Sequence, residues 1–245
     1  MLAHVLAFEL RSTLRRISTW VYFALFFVLA FVMASAAGGA WVGFDLGNSR
    51  LLVNSPHNVA QLMAGLGFLA VPVTAALFGN AVYRDFETGA YPLFFTSGVS
   101  KTAYLGGRYL GAVGVNLLIL LSIPLAILLA TGTGHLEPER VGPFRWDAYL
   151  YPLALFTLPN LLFTGAIFFS LAALTRQMLP NYVGGVLLLV VYGISKVFIN
   201  DIDEPRVAGM LDAFGGAPLS QATRYWTLSE QNTRALPVEG ILLSN

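Results

Sequence analysis

ISTWVYFALFFVLAFVMASAAGGAWVGF, residues 17–44, carries no charged side chain over 28 positions. A helix needs about 20 apolar residues to cross the hydrocarbon core of a bilayer. A first span is therefore predicted over about Ser18–Gly39. Trp20 and Tyr22 stand at its start, where aromatic rings anchor at the headgroups. Residues 34–39 are all small, which lets another helix approach closely at the far end.

The rest of the chain has the same character. It is 56% hydrophobic and 11% charged over 245 residues. Soluble domains carry about 25% charged residues. At 11%, a surface facing lipid is the natural reading. The net charge of +1 gives no global field for nucleic acid. The absence of cysteine excludes disulfides, thiol catalysis and cysteine metal sites. The first apolar run is too long for the h-region of a cleavable signal, about 7–15 residues.

Upstream, residues 1–17 are amphipathic at helical spacing. Leu2, Val5, Leu6 and Leu10 fall on one face, with Arg11, Arg15 and Arg16 towards the other. Such a helix is suited to lying in the headgroup layer beside the first span.

Downstream, polar connections alternate with apolar runs. Residues 40–56 are polar, and a second span is predicted over about Val59–Val82, with Pro72 inside it. Spans three, four and five follow at about Tyr109–Ala130, Leu150–Leu174 and Asn181–Ile199. Gly107 and Gly111 form a small-residue pair that permits a close crossing. Residues 200–239 are polar and acidic, and a short surface helix is expected around Gly209, Leu211 and Phe214. Apolar residues resume at Gly240–Leu243. They read as the start of a sixth span in a truncated chain, or as a terminus after five spans. The expected architecture is an all-α polytopic bundle: an interfacial helix at 1–17, a transmembrane domain at 18–199, and an extracytoplasmic segment at 200–245. With the N-terminus inside, seven Lys and Arg fall inside and four outside once the long tail is set apart, which favours a cytoplasmic N-terminus.

No catalytic constellation emerges. His4, His57 and His135 lie in three different polar segments, and His135 begins HLEPE, which lacks the second histidine of a zinc helix. Ser170 has no base beside it and reads as a packing residue. No G-x-x-x-x-G-K-S/T run occurs, so the chain does not energise transport by itself. The predicted spans hold no mid-depth Asp, Glu or Arg and no inverted repeat, which argues against an ion-coupled carrier.

What remains is residues 83–108, YRDFETGAYPLFFTSGVSKTAYLGGR, predicted as a cytoplasmic loop. Arg84, Asp85, Glu87, Lys101 and Arg108 crowd a segment whose neighbours are nearly uncharged. Apolar residues between charges suit a short docking helix. The apolar side chains fill a groove and the charges fix register. The alternative is an ordinary solvated loop.

The order Glu87-Thr88-Gly89, Leu93-Phe94-Phe95, Thr96 through Lys101, then Gly107-Arg108 resembles the segment after the second span in the membrane subunit of type-2 ATP-binding-cassette exporters. A bacterial subgroup is closer still, on Phe8–Arg11, Ser18–Phe23, Asn54–Pro56, Phe78–Glu87 and Pro159–Leu162. In that subgroup the permease often heads a longer polypeptide ending in a zinc aminopeptidase-like domain, which is absent here.

The resemblance implies a six-helix permease half in the bacterial cytoplasmic membrane. It pairs with a second half, identical or different, and binds a cytoplasmic ATPase dimer that holds the ATP and magnesium. The chain itself would bind no cofactor and catalyse no reaction. A coupling helix would lie at about Asp85–Ser97, with Arg84, Asp85, Phe86, Glu87, Gly89, Leu93, Phe94, Thr96 and Lys101 at the ATPase contact. The interfacial helix, about residues 2–16, would present Glu9, Arg11, Arg15 and Arg16 beside it. The readings set against this are a non-transporting membrane anchor and the membrane domain of a peptidase-fused protein.

Overall fold

A computed structural model describes residues 1–41, 51–92, 98–200, 214 and 216–238, without the side chains of 196–200 and 217. The described residues are helical and contain no strand. In order, the helices are α1 (Leu2–Leu14), α2 (Ile17–Ala37), α3 (Pro56–Leu69), α4 (Val71–Glu87), α5 (Lys101–Gly132), α6 (Asp147–Thr175), α7 (Leu179–Asn200), α8 (Gly216–Ala222) and α9 (Leu228–Thr233).

Three of these are long and apolar enough to cross a membrane: α2, α5 and α6. At 1.5 Å per residue, the 21 residues of α2 extend about 31 Å, the thickness of a hydrocarbon core. Ile17, Val21, Leu25, Val28 and Val32 form an exposed stripe along it at helical spacing. In α5, 61% of the apolar window is buried, against 22% in α2, so α5 packs mainly against protein and α2 keeps a flank suited to lipid.

The predicted second span is not one helix. The chain breaks at Ala70, between α3 and α4, and the pair makes a fourth span only if its two pieces are counted together. Pro72 supplies a local cause. It has no N–H to donate and it occupies the first turn of α4, where that donor is not needed. The predicted fifth span is helical over Leu179–Asn200, with a described apolar stretch at Leu179–Ser195. Among the described residues, three helices, or four with the broken pair, are long and apolar enough to cross, and a count of five with part of a sixth is not supported. The apolar run at 240–243 and the surface helix expected around residues 209–214 fall largely outside the described residues.

Helix α6 contains a π turn at Leu153–Thr157, between Pro152 and Pro159. Pro159 cannot donate to the carbonyl four residues back, which favours a locally wider register there.

The chain forms two compact units. One comprises Met1–Phe23, Leu69–Ile119 and Asn160–Gly193. Within it, α1 lies against a row of glycines on α5. A Cβ on Gly107 would sit 2.7 Å from the Cβ of Val5, and one on Gly111 would sit 2.6 Å from the Cβ of Glu9. The small-residue pair predicted to permit a close crossing makes one, and its partner is the N-terminal helix. Asn181 at the start of α7 is fully buried and donates its side-chain amide to the carbonyls of Ala75 (3.1 Å) and Phe168 (3.0 Å).

The other unit comprises Ala24–Phe68, Leu120–Pro159 and Ile194–Asn245. Its polar connections are ordered by hydrogen bonds. The Asn54 amide donates to the Gly142 carbonyl and accepts from the Gly142 N–H, both at 2.7 Å. Ser35 Oγ lies 2.9 Å from Nε2 of His135, whose ring stacks on Phe31. Ala60, Leu155, Phe156, Leu219 and Leu236 form its apolar cluster, which ties α8 and the residues after α9 to α3 and α6.

Candidate functional site

The charged segment predicted as a loop is largely helix. YRDFE offers no glycine or proline to stop α4, so the helix runs on to Glu87. It ends at Gly89, which takes φ +66° and donates its N–H to the Phe86 carbonyl, as glycine commonly does just past a helix end. At the other side, Ser100 caps α5. Its Oγ accepts from the Ala103 N–H at 3.3 Å, and α5 starts at Lys101. Arg84, Asp85, Phe86 and Glu87 thus belong to α4, and Lys101 and Arg108 to α5. This leaves 88–100 as the connection. Leu93, Phe94 and Thr96, and with them the last five residues of the expected coupling helix, lie outside the described residues.

Asp85, expected at the ATPase contact, is buried. So are Glu9 of α1 and Arg108 of α5. The Arg108 guanidinium spans both carboxylates, one terminal nitrogen on Glu9 Oε2 and the other on Asp85 Oδ2. Arg84 Nη2 donates to the same Glu9 oxygen at 2.8 Å, and its Nη1 donates to Ser12 Oγ at 3.2 Å. Thr13 Oγ1 donates to Glu9 Oε1 at 3.2 Å, and the Tyr104 hydroxyl donates to Asp85. Two cations and two anions from three helices close on one another.

Aromatic rings complete the surround. The Phe8 ring lies 5.9 Å from the Arg84 guanidinium carbon and 5.8 Å from that of Arg108, and the Tyr104 ring is 5.5 Å from Arg108. Such cation–π contacts reach about 2 kcal/mol where the cation is desolvated.

Why these charges tolerate burial follows from their mutual neutralisation. A buried ion is costly unless it is paired and its remaining hydrogen-bonding groups are met. Arginine suits the position because its planar fork grips two carboxylates at once, which an ammonium cannot do in a fixed geometry. The glycines of α5 let α1 come close enough for Glu9 to reach Arg108 and Arg84.

The remaining sequence-predicted residues scatter around this clasp. Phe86 is half-buried. It packs on Tyr91 with centroids 5.4 Å apart and lies under the Arg176 guanidinium at 5.2 Å. Glu87, Gly89 and Lys101 are exposed, as are Arg11 and Arg15 on α1 and just past its end. Arg16 is half-buried, and its guanidinium is held below its usual range, by burial first and by the Arg84 charge next. Tyr104, Phe8 and the bridging role of Arg108 were not foreseen. The usable signal was that each charge directly abuts an apolar run and that their signs cancel.

Comparisons with known proteins add no identity: no family model, no curated protein and no solved structure matches the chain. The fold and site define a helical protein whose long apolar helices are compatible with a membrane location.

Proposed function

We propose that the chain is the membrane subunit of an ATP-driven exporter of the type-2 ATP-binding-cassette kind. It would lie in the bacterial cytoplasmic membrane with its N-terminus inside. A separate ATPase would supply the energy, and a second permease half would complete the path. One observation carries this reading. Phe8–Arg11, Phe78–Glu87 and Gly107–Arg108, the separate segments on which the resemblance rests, converge on one buried charge clasp.

The clasp joins α1, α4 and α5 where the exposed Glu87, Gly89 and Lys101 leave the helices. A force applied by a partner at 87–101 would reach all three helices together. Coupling requires that the ATPase bind one arrangement of these helices more tightly than another. The exposed charges supply the contact, and the buried ones transmit it.

The test is co-purification of the tagged full chain with a co-expressed ATPase encoded beside it. Glu87→Lys with Lys101→Glu is expected to abolish ATPase retention while membrane insertion is unchanged. Retention unaffected by that double reversal removes the 87–101 contact from the mechanism. Reversing Asp85 does not test docking, because its buried carboxylate holds Arg108. A chain that inserts and never retains an ATPase is an anchor instead.

A further inference from the structure

A cavity of about 80 Å³ opens beside the clasp, within the unit that contains it. That is several times the 10–15 Å³ or so that one water needs. Its lining has two parts. Glu9, Thr13 and Arg84 are engaged with one another. Arg16, Ser18, Tyr22, Asn80 and Tyr182 also line it, and the side-chain polar groups of these five have no protein partner among the described residues.

The unengaged set is one guanidinium, three hydroxyls and one amide. Every member can donate a hydrogen bond, and none is acidic. The only lining carboxylate, Glu9, is saturated by Arg84, Arg108 and Thr13. The Arg16 cation lies half out of water, without an ion pair among the described residues, and close enough to feel the charges of Arg84 and Arg108, with Glu9 and Glu87 opposing them. An unpaired, partly desolvated cation among neutral donors is a site for an oxyanion.

The surroundings match one source of such an anion. Val21 lies one turn beyond Ser18 on α2, and Val186 one turn beyond Tyr182 on α7, and both are exposed apolar side chains. Trp20, also exposed, sits at the same level of α2, where aromatic rings mark the headgroup layer. Acyl chains would follow these residues while a phosphate sits among the donors. Juxtamembrane cations draw anionic lipid in the cytoplasmic leaflet.

We propose that this cavity binds a phosphate-bearing anion, with Arg16 as its principal charge partner and Asn80, Ser18, Tyr22 and Tyr182 as neutral donors. The proposal does not depend on the transport reading.

The experiment uses the full chain purified in detergent. Retention is measured by native mass spectrometry against phosphatidylglycerol, phosphatidylcholine and inorganic phosphate. The expected result is selective retention of phosphatidylglycerol, with inorganic phosphate competing. Arg16→Gln and, separately, Asn80→Leu should weaken it at least tenfold, and Arg11→Gln, an exposed arginine on α1, should leave it unchanged. Binding of inorganic phosphate alone supports the anion site and assigns it to the free ion. Equal retention of phosphatidylcholine, or phosphatidylglycerol retention unchanged in both cavity variants, overturns the proposal. Arg16 makes no ion pair among the described residues, so its loss strands no carboxylate there, and Asn80→Leu tests the opposite wall if the first variant fails to fold.

Discussion

Arg108 and Glu9 stand 99 positions apart and form an ion pair in which both side chains are almost fully withdrawn from solvent. Asp85 accepts from the other terminal nitrogen of the same guanidinium. One arginine thus joins the first helix to the fourth and fifth. Removing it leaves two buried carboxylates without their principal cation. Arg108→Met is expected to cost about 3–5 kcal/mol, the range for breaking one side of a buried pair. Adding Asp85→Asn to that variant should recover part of the loss, because Asp85 is the carboxylate left stranded, whereas Glu9 keeps Arg84. Arg108→Lys should remain impaired, since one ammonium does not reproduce the fork. Thermal unfolding in detergent, with the double-mutant cycle, measures all three.

The approach of α1 to α5 gives a second test. Gly111→Ala places a methyl within 2.6 Å of the Glu9 Cβ, and Gly107→Ala places one 2.7 Å from the Val5 Cβ and 3.2 Å from the Leu2 carbonyl oxygen. Backbone stands on one side of the contact, so α1 must move. An overpacking cost of about 1–3 kcal/mol is expected. Hydrogen exchange of residues 2–14 should rise as α1 lifts away. Gly132→Ala, with nothing within 4 Å of its new methyl, serves as the tolerated control.

These two tests also mark what could be read in the sequence. Uncharged runs located every long helix, because a run such as 17–44 has few other ways to satisfy its backbone. The number of crossings was less legible. Pro72 was noted, but whether a proline kinks a span or splits it depends on what packs around it. The charged stretch 83–108 was singled out, yet the burial of Asp85 and Arg108 within it was not foreseen. Charges between apolar runs read locally as solvent-facing. Their cancellation needs Glu9, which lies far away in the chain, and no local pattern reveals that. Gly107 and Gly111 announced a close crossing without naming the helix that makes it. Gly89 and Ser100 were the stop and start signals that would have shortened the loop from the sequence alone.

Asn181 carries a third prediction. Its buried amide donates to the carbonyls of Ala75 on α4 and Phe168 on α6, so it ties the start of α7 to both. Asn181→Leu keeps the approximate volume and removes both donors. Leaving a buried acceptor short of its partner costs about 1–3 kcal/mol. The loss should appear in the unfolding midpoint. Gly79→Ala should act at the same place, because its new methyl would overlap the Asn181 amide. The two changes together should therefore cost less than their sum.

The last prediction decides the crossing number. The chain has no cysteine, so single cysteines label without background. Lys101 is exposed at the start of α5, and Tyr225, 87% exposed, follows α7. With the N-terminus inside, α2 and the broken pair α3–α4 return the chain to the inner side at Lys101. Helices α5 and α6 then bring it inside again at Arg176. If α7 crosses, Tyr225 emerges outside. Lys101→Cys should then resist a membrane-impermeant maleimide in intact spheroplasts and react after permeabilisation, whereas Tyr225→Cys should react at once. Protection of both positions until permeabilisation means that α7 does not cross. Helix α7 then lies along or within the bilayer. Immediate reaction of Lys101→Cys reverses the orientation and places residues 87–101 where no cytoplasmic ATPase can reach them.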